Sequence, residues 1–149
     1  MSTAPPHDAG HFRRLERLYA SAPVTQWFGT RIQVGDGEAE VRLTVRPEFF
    51  HAAHAVHGSV YFRLLDDAAF FAANSGVRDV FVLTVSFTVQ FARPVAAGEV
   101  RARGRVRHGG GRLVLADSDL FDAGDQLLAH GTGVFTRSAI PLDEKVGYR

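Results

Sequence analysis

A chain of 149 residues, 46% hydrophobic and 22% charged, has the size and composition of one globular domain. Its 17 Lys and Arg against 16 Asp and Glu leave a net charge of +1, which offers no general attraction to nucleic acid or to an anionic membrane. With no cysteine there are no disulfides, thiol nucleophiles or thiolate metal sites, and no apolar run approaches the roughly 20 residues of a bilayer span. These features read as a cytoplasmic protein, compatible with a reducing compartment. Residues 1–10, polar and rich in Pro and Gly, are expected to be a flexible tail without the apolar core of a signal peptide. Residues 11–149 are expected to form a single domain, since no linker or internal repeat divides them.

The elements follow in order. From His11 to about Ala22, Phe12, Leu15, Leu18 and Tyr19 recur at helical spacing, and Pro23 ends the helix. A short connection leads to a strand near Thr30–Val34, and the turn residues Gly35, Asp36 and Gly37 lead to a second strand with Ala39, Val41, Leu43 and Val45 on one face. A histidine-containing loop, Phe49–His57, precedes a helix over Ser59–Ser75, closed by Gly76. The rest alternates as strands. The first places Phe81, Leu83, Val85, Phe87, Val89 and Phe91 opposite Thr84, Ser86, Thr88 and Gln90. The second places Val100, Ala102, Gly104 and Val106 opposite four arginines. Two more strands follow the turns "HGGG" and Asp122–Asp125. Short connections among the last four strands suggest an antiparallel meander. The long helix is apolar over more than half its circumference, so the sheet is expected to wrap around it as a hot-dog fold, α+β in class.

That helix contains adjacent aspartates. Stepping about 100° per residue puts Val60, Tyr61, Leu64, Leu65, Ala68, Phe71 and Ala72 on a core stripe. Asp67 falls beside Arg63 at i,i+4 and reads as a paired surface charge. Asp66 falls between Phe62 and Phe70. It is either a carboxylate desolvated for use as a base or one at a wet edge, and the pattern leaves these two readings level. Gly58, just before the helix, stands where free N–H groups and the positive end of the helix dipole can stabilise a carbonyl oxygen that gains charge.

The stretch "VHGSVYFRLLDDAAFFAANS" resembles the His-Gly-Gly and Leu-x-Asp-x-Ala motifs of hot-dog thioesterases of the phenylacetate-pathway, PaaI-like type. The order of elements from about Phe28 to Arg137, with "FARPV" after the first of the last four strands, agrees with that family. The resemblance implies an acyl-coenzyme A thioesterase with coenzyme A as part of the substrate and no metal or redox cofactor. It assigns Asp66 as general base or nucleophile, the Gly58 N–H as the group polarising the carbonyl, His57 as its His-Gly partner and Thr84 as a hydroxyl that helps place water. It also implies a homo-oligomer, a dimer or dimer of dimers, whose active site lies between subunits. Two positions depart from the family. Ser59 replaces the second glycine and is compatible with an N-cap, and His51 stands where the family often has an asparagine donor.

Substrate contacts are expected from Ser59, Phe62 and Phe70, with Phe50 near them, and from Arg93 and the turn residues His108, Gly109, Gly110 and Arg112, whose amides and guanidinium suit an anion. Arg101, Arg103, Arg105 and Arg107 form a stripe with two open readings, a solvated face or a landing strip for coenzyme A phosphates. The spacing of His51, His54 and His57 reads as loop order, not a metal site. The Phe81–Phe91 strand carries no charge or proline. It is either an interior strand or an edge that must pair with a second copy. A non-catalytic acyl-CoA-binding protein is the alternative function. A hot-dog hydratase is disfavoured, because no histidine follows Asp66 at the four- or five-residue spacing that class uses.

Overall fold

The structure, a computed structural model, describes residues 6–149, with side chains from residue 9 onward. Strands β1 (Arg31–Gly35), β2 (Glu38–Thr44), β3 (Val80–Phe91), β4 (Glu99–His108), β5 (Leu113–Phe121) and β6 (Leu127–Pro141) form one antiparallel sheet in the order β1-β2-β4-β5-β6-β3. The sheet curls around α3 (Gly58–Ser75), while α1 (Pro6–Ser21) packs on β1 and α3 and continues into α2 (Pro23–Phe28). This is the α+β hot-dog arrangement.

α1 begins at Pro6, five residues before the expected start, because proline is well suited to the first helical turn. The expected tail over residues 1–5 lies outside the described residues. Pro23 does more than stop α1. It holds Ala22 extended at ψ 133° and starts α2 at that helix's first turn, so the expected connection is a short helix closed by Gly29 at φ 73°.

Every residue of the expected α3 stripe is buried, and so are Ala69, Phe70, Ala73, Asn74 and Ser75, since the curled sheet surrounds the second half of the helix. The alternating positions of the strands supply the lining: Val41 and Leu43, Val100 and Ala102, Val114 and Leu120, Leu128 and Phe135. At the tightest point β4 meets the helix backbone. A Cβ on Gly104 would lie 2.2 Å from the Ala68 carbonyl oxygen, so only glycine permits this approach. The Ser118 hydroxyl of β5 donates to the Leu65 carbonyl at 2.7 Å, a second tie between helix and sheet.

β3 departs from expectation twice. It is not part of a four-strand meander; of the last four strands only β4, β5 and β6 are sequential neighbours, and β3 lies beyond β6 at the sheet edge. The connection over 92–98 is too long for a tight hairpin and crosses the end of the sheet instead. It is held where the Val56 N–H donates to the Val95 carbonyl and the Val45 N–H to the Gly98 carbonyl, each at 2.9 Å. Its alternation is also interrupted. Thr84 pairs with Phe135 and Ser86 with Val134, leaving Val85 as a bulge. Val82 is therefore buried before the bulge, while Leu83 and Val85 are 43% and 58% exposed, contrary to a single apolar face from Phe81 to Phe91. After the bulge Phe87 turns inward, its ring filling the space left by Gly131 and Gly133.

The Gly104 contact has a measurable consequence. Gly104→Ala is expected to lower the unfolding free energy by about 1–3 kcal/mol in a urea titration. A variant with the native midpoint and slope would show that helix and strand are not held this close.

Candidate active site

The loop before α3 orders its N-terminus through two imidazoles. His57, not Ser59, is the N-cap: its Nδ1 accepts the Ser59 N–H at 3.0 Å and lies 2.8 Å from the Ser59 hydroxyl. His51 Nδ1 accepts the Ala53 N–H at 3.0 Å, and the His51 N–H donates to the Ala55 carbonyl at 2.9 Å. With Nδ1 of each neutral ring used as an acceptor, the ring proton sits on Nε2, and each histidine keeps one donor. The two rings are 6.5 Å apart. Among the described residues the Gly58 N–H has no acceptor, as expected for the first turn of a helix. Phe91 covers Gly58 closely, since a Cβ there would meet its ring at 3.1 Å. Tyr61, one turn on, donates to the Arg93 carbonyl at 2.8 Å and brings Arg93 to this end of α3.

Asp66 projects toward β3, where the Thr84 hydroxyl donates to its Oδ1 at 2.9 Å. The bulge at Val85 produces this pairing, because an unbroken alternation that turns Phe87 inward would turn Thr84 out. Burial pushes the Asp66 carboxyl above the ordinary carboxylate range, and the Thr84 hydrogen bond and the Arg63 charge restrain the rise. Phe62 and Phe70 flank it as expected. Phe62 remains 42% exposed and meets Phe87 edge-on, whereas Phe70 is buried against Phe71, Phe81 and Phe135.

Asp67 pairs with Arg63 at 3.3 Å, as the spacing suggests, but it is not a surface charge. Its side chain is only 17% exposed, and Oδ2 lies 2.8 Å from the Tyr19 hydroxyl. That hydroxyl is also 2.7 Å from Thr30 Oγ1; its single proton goes to the carboxylate, so Thr30 supplies the other hydrogen. Burial raises the Asp67 carboxyl to about 6 against the pull of Arg63 and Tyr19, and the neighbouring Asp66 charge adds to the rise. Tyr19 is pushed upward in turn by burial and by Asp67. Arg63 stacks on Phe28 at 4.6 Å and reaches Thr25 Oγ1 at 3.3 Å. Both aspartates open into a groove of about 190 Å³ between α1, α2, α3 and the start of β3, with Leu18, Val24, Phe71 and Phe81 in its wall. The sequence reading missed Tyr19, Thr25 and Thr30. Tyr19 had a detectable signal, because a tyrosine on a core stripe needs a partner for its hydroxyl.

The remaining expected residues divide between the two ends of α3. His51, His57, Gly58, Ser59 and Arg93 gather at its N-terminus. Gly109 and Gly110, in the turn that runs from His108 to Arg112, instead face Ser75, Gly76 and Val77 at its C-terminus. The helix is about 27 Å long at 1.5 Å per residue, so within one chain this turn does not join the Gly58 site. The arginine stripe is engaged by carboxylates on neighbouring strands and turns. Arg103 binds Glu40 at 3.0 Å, Arg105 and Arg107 bind Asp117 at 3.1 and 2.6 Å, and Arg101 pairs with Asp125. That pattern favours the solvated-face reading over a phosphate landing strip.

The thioesterase superfamily profile matches residues 53–129, from the loop before α3 into β6. The chain belongs to this superfamily. A Mycobacterium tuberculosis (strain H37Rv) protein provisionally named an esterase is 29% identical over 103 residues, which cover 66% of this chain and 74% of that protein. Among solved structures, the Escherichia coli PaaI protein of the phenylacetic acid degradation operon is similar with a TM-score of 0.82 at 23% identity, over 90% of this chain and 97% of that one. A conserved protein of Pseudomonas aeruginosa is similar with a TM-score of 0.76 at 30% identity, over 82% and 98% of the two chains. No helix among the described residues is long and apolar enough to cross a membrane.

The raised Asp67 carboxyl makes a signed prediction. Its folded pKa of about 6 exceeds the unfolded value, so ionisation costs stability as pH rises from about 4 through 6. Asp67→Asn, which does not ionise, is expected to gain up to about 3 kcal/mol on the wild type between pH 4 and pH 7, measured by denaturant unfolding at each pH. A stability difference that stays constant with pH would refute the burial of an ionising group there.

Proposed function

We propose that the chain is an acyl-coenzyme A thioesterase that works as a homodimer or a dimer of dimers. The observation that carries this reading is Asp66, a carboxylate raised by burial, held by the Thr84 hydroxyl and open to a groove. In the proposed reaction a water oxygen attacks the thioester carbonyl carbon while Asp66 takes the proton. The carbonyl oxygen gains the negative charge and is stabilised by the Gly58 N–H, with the Nε2–H groups of His51 and His57 in the preceding loop available as further donors. The tetrahedral intermediate then expels the coenzyme A sulfur, which receives the proton. Free acid and coenzyme A are the products. Membership of the thioesterase superfamily supports the reaction class.

The geometry supports a site shared with a second copy. Gly58 and Asp66 lie eight residues apart on one helix, a rise of about 12 Å, too far for one carbonyl and its attacking water to touch both. The carbonyl held at Gly58 of one copy would therefore meet Asp66 of another. β3 supports this arrangement, since it is an edge strand that carries Thr84 and exposes Leu83 and Val85. Pairing of β3 with the β3 of a second copy would cover that edge and bring the two α3 helices together.

Asp66→Asn is expected to lower kcat on acyl-CoA substrates by about 10²–10⁴-fold, followed by release of free thiol. Saturable binding without turnover by the wild type would instead support the non-catalytic acyl-CoA-binding alternative. The wild-type kcat/KM is expected to fall on the acid side, at a pH above the ordinary carboxylate range, because the base must be ionised. Thr84→Val should move that limb to higher pH, since the lost hydrogen bond favours the charged form. The shared site is tested separately by mixing Asp66→Asn with Gly58→Pro protein, which lacks that N–H and suits the first helical position, under conditions that exchange subunits. Random pairing restores roughly a quarter of wild-type activity if each site uses one residue from each copy. No recovery despite exchange would place both residues in one chain's site.

A further inference from the structure

A second groove adjoins the one that holds Asp66. It has a volume of about 520 Å³ and lies between the end of α1, the end of β6 and the C-terminal segment around Glu144–Gly147. Leu18, Ala22 and Phe81 line both grooves and form a shared neck. Beyond the neck the walls include Pro23, Ile140 and Val146, while Glu144, Lys145 and Arg149 are the charged residues of the lining. Two large apolar side chains along this route are unusually open: Val24 in the first groove is 50% exposed and Ile140 in the second is 39% exposed. With the shared neck between them, these side chains give both grooves an apolar face open to a ligand.

The volumes indicate what that is. A closed cavity of about 150 Å³ accommodates a benzene-sized molecule, so the open groove of about 190 Å³ beside Asp66 has room for part of an acyl group, about six carbons. The adjoining groove is more than twice as large and continues in the direction leading away from the carboxylate. We propose that the two grooves form one acyl-binding channel, and that the substrates of this protein are extended aliphatic acyl thioesters of about ten to twelve carbons, whose tails pass the Leu18–Ala22–Phe81 neck and lie against Ile140 and Val146. This rests on the thioesterase reading for the position of the carbonyl near Asp66, but the channel itself follows from the shared lining. A single ring or a short acyl group would leave the second groove empty. The charged residues at the lining of that groove set an upper limit, because a longer tail must pass Glu144, Lys145 and Arg149 back into water.

The test is a series of saturated acyl-CoAs from four to sixteen carbons, kept below their micelle concentrations, with phenylacetyl-CoA for comparison. Affinity is measured by calorimetry on Asp66→Asn, and kcat/KM on the wild type. A fully buried methylene raises affinity about fourfold, and one covered on half its surface by an open groove about twofold. Affinity is therefore expected to rise about 60-fold from six to twelve carbons and then level off or fall. Ala22→Trp, which narrows the neck, and Ile140→Glu, which charges the far groove, should each reduce the ratio of twelve- to six-carbon affinity by at least tenfold. Using two variants guards against loss of folding in either one. Affinity that peaks at six carbons or at phenylacetyl-CoA, or a ratio that neither folded variant changes, overturns the channel. The thioesterase reading fails differently, through absence of turnover on every ester, and the binding series still decides the channel in that case.

Discussion

A helix enclosed by a sheet must present its smallest groups where the two backbones meet, and here that contact is Gly104 of β4 against the Ala68 carbonyl of α3. Close approach at that point fixes the depth of the helix. Apolar side chains can then cover it on the remaining sides, and Ser118 of β5 can reach the Leu65 carbonyl. The rotation of α3 follows from the same packing. With Leu64, Leu65, Ala68 and Ala72 turned into the sheet, Asp66 and Asp67 are left at the side facing α1, α2 and the start of β3. The site is thus a consequence of the core, since rolling the helix to expose either aspartate would bring large apolar groups into water.

The bulge at Val85 has a comparable effect on chemistry. A bulge adds one residue to one strand and reverses the faces beyond it. β3 uses that reversal to turn Thr84 toward Asp66 at one end and Phe87 into the space over Gly131 and Gly133 at the other. It also leaves Leu83 and Val85 outside, beside an unpaired strand edge. One local irregularity therefore supplies a hydrogen bond to the buried carboxylate and leaves two apolar side chains exposed at the sheet edge.

Two adjacent carboxylates in a partly buried helix would be costly without compensation, and the compensation differs between them. Asp67 is surrounded by Arg63, Tyr19 and, through Tyr19, Thr30. It joins the N-terminal helix to α3 and gains partners at the expense of solvent access. Asp66 has one hydroxyl donor and faces a groove, so it retains free lone pairs and access to water. Adjacent residues of the same type thereby acquire different partners, set by which side of the helix each occupies.

Much of this was legible in the residues. The core stripe of α3, the inward faces of β2 and β4, the Arg63–Asp67 pair and the likeness to hot-dog thioesterases all depend on local periodicity or contiguous motifs, which a chain displays whether or not it is folded. Tertiary structure decided what local pattern does not encode. It moved β3 from a meander to the sheet edge, placed the bulge that inverts its faces, and made Asp67 a buried group instead of a surface charge. It also engaged the arginine stripe with Glu40, Asp117 and Asp125, and separated the His108–Arg112 turn from Gly58. Strand order, register and burial are relations between residues distant along the chain. They emerge only when the sheet closes around the helix, whereas the alternation that makes each strand is written in its own few residues.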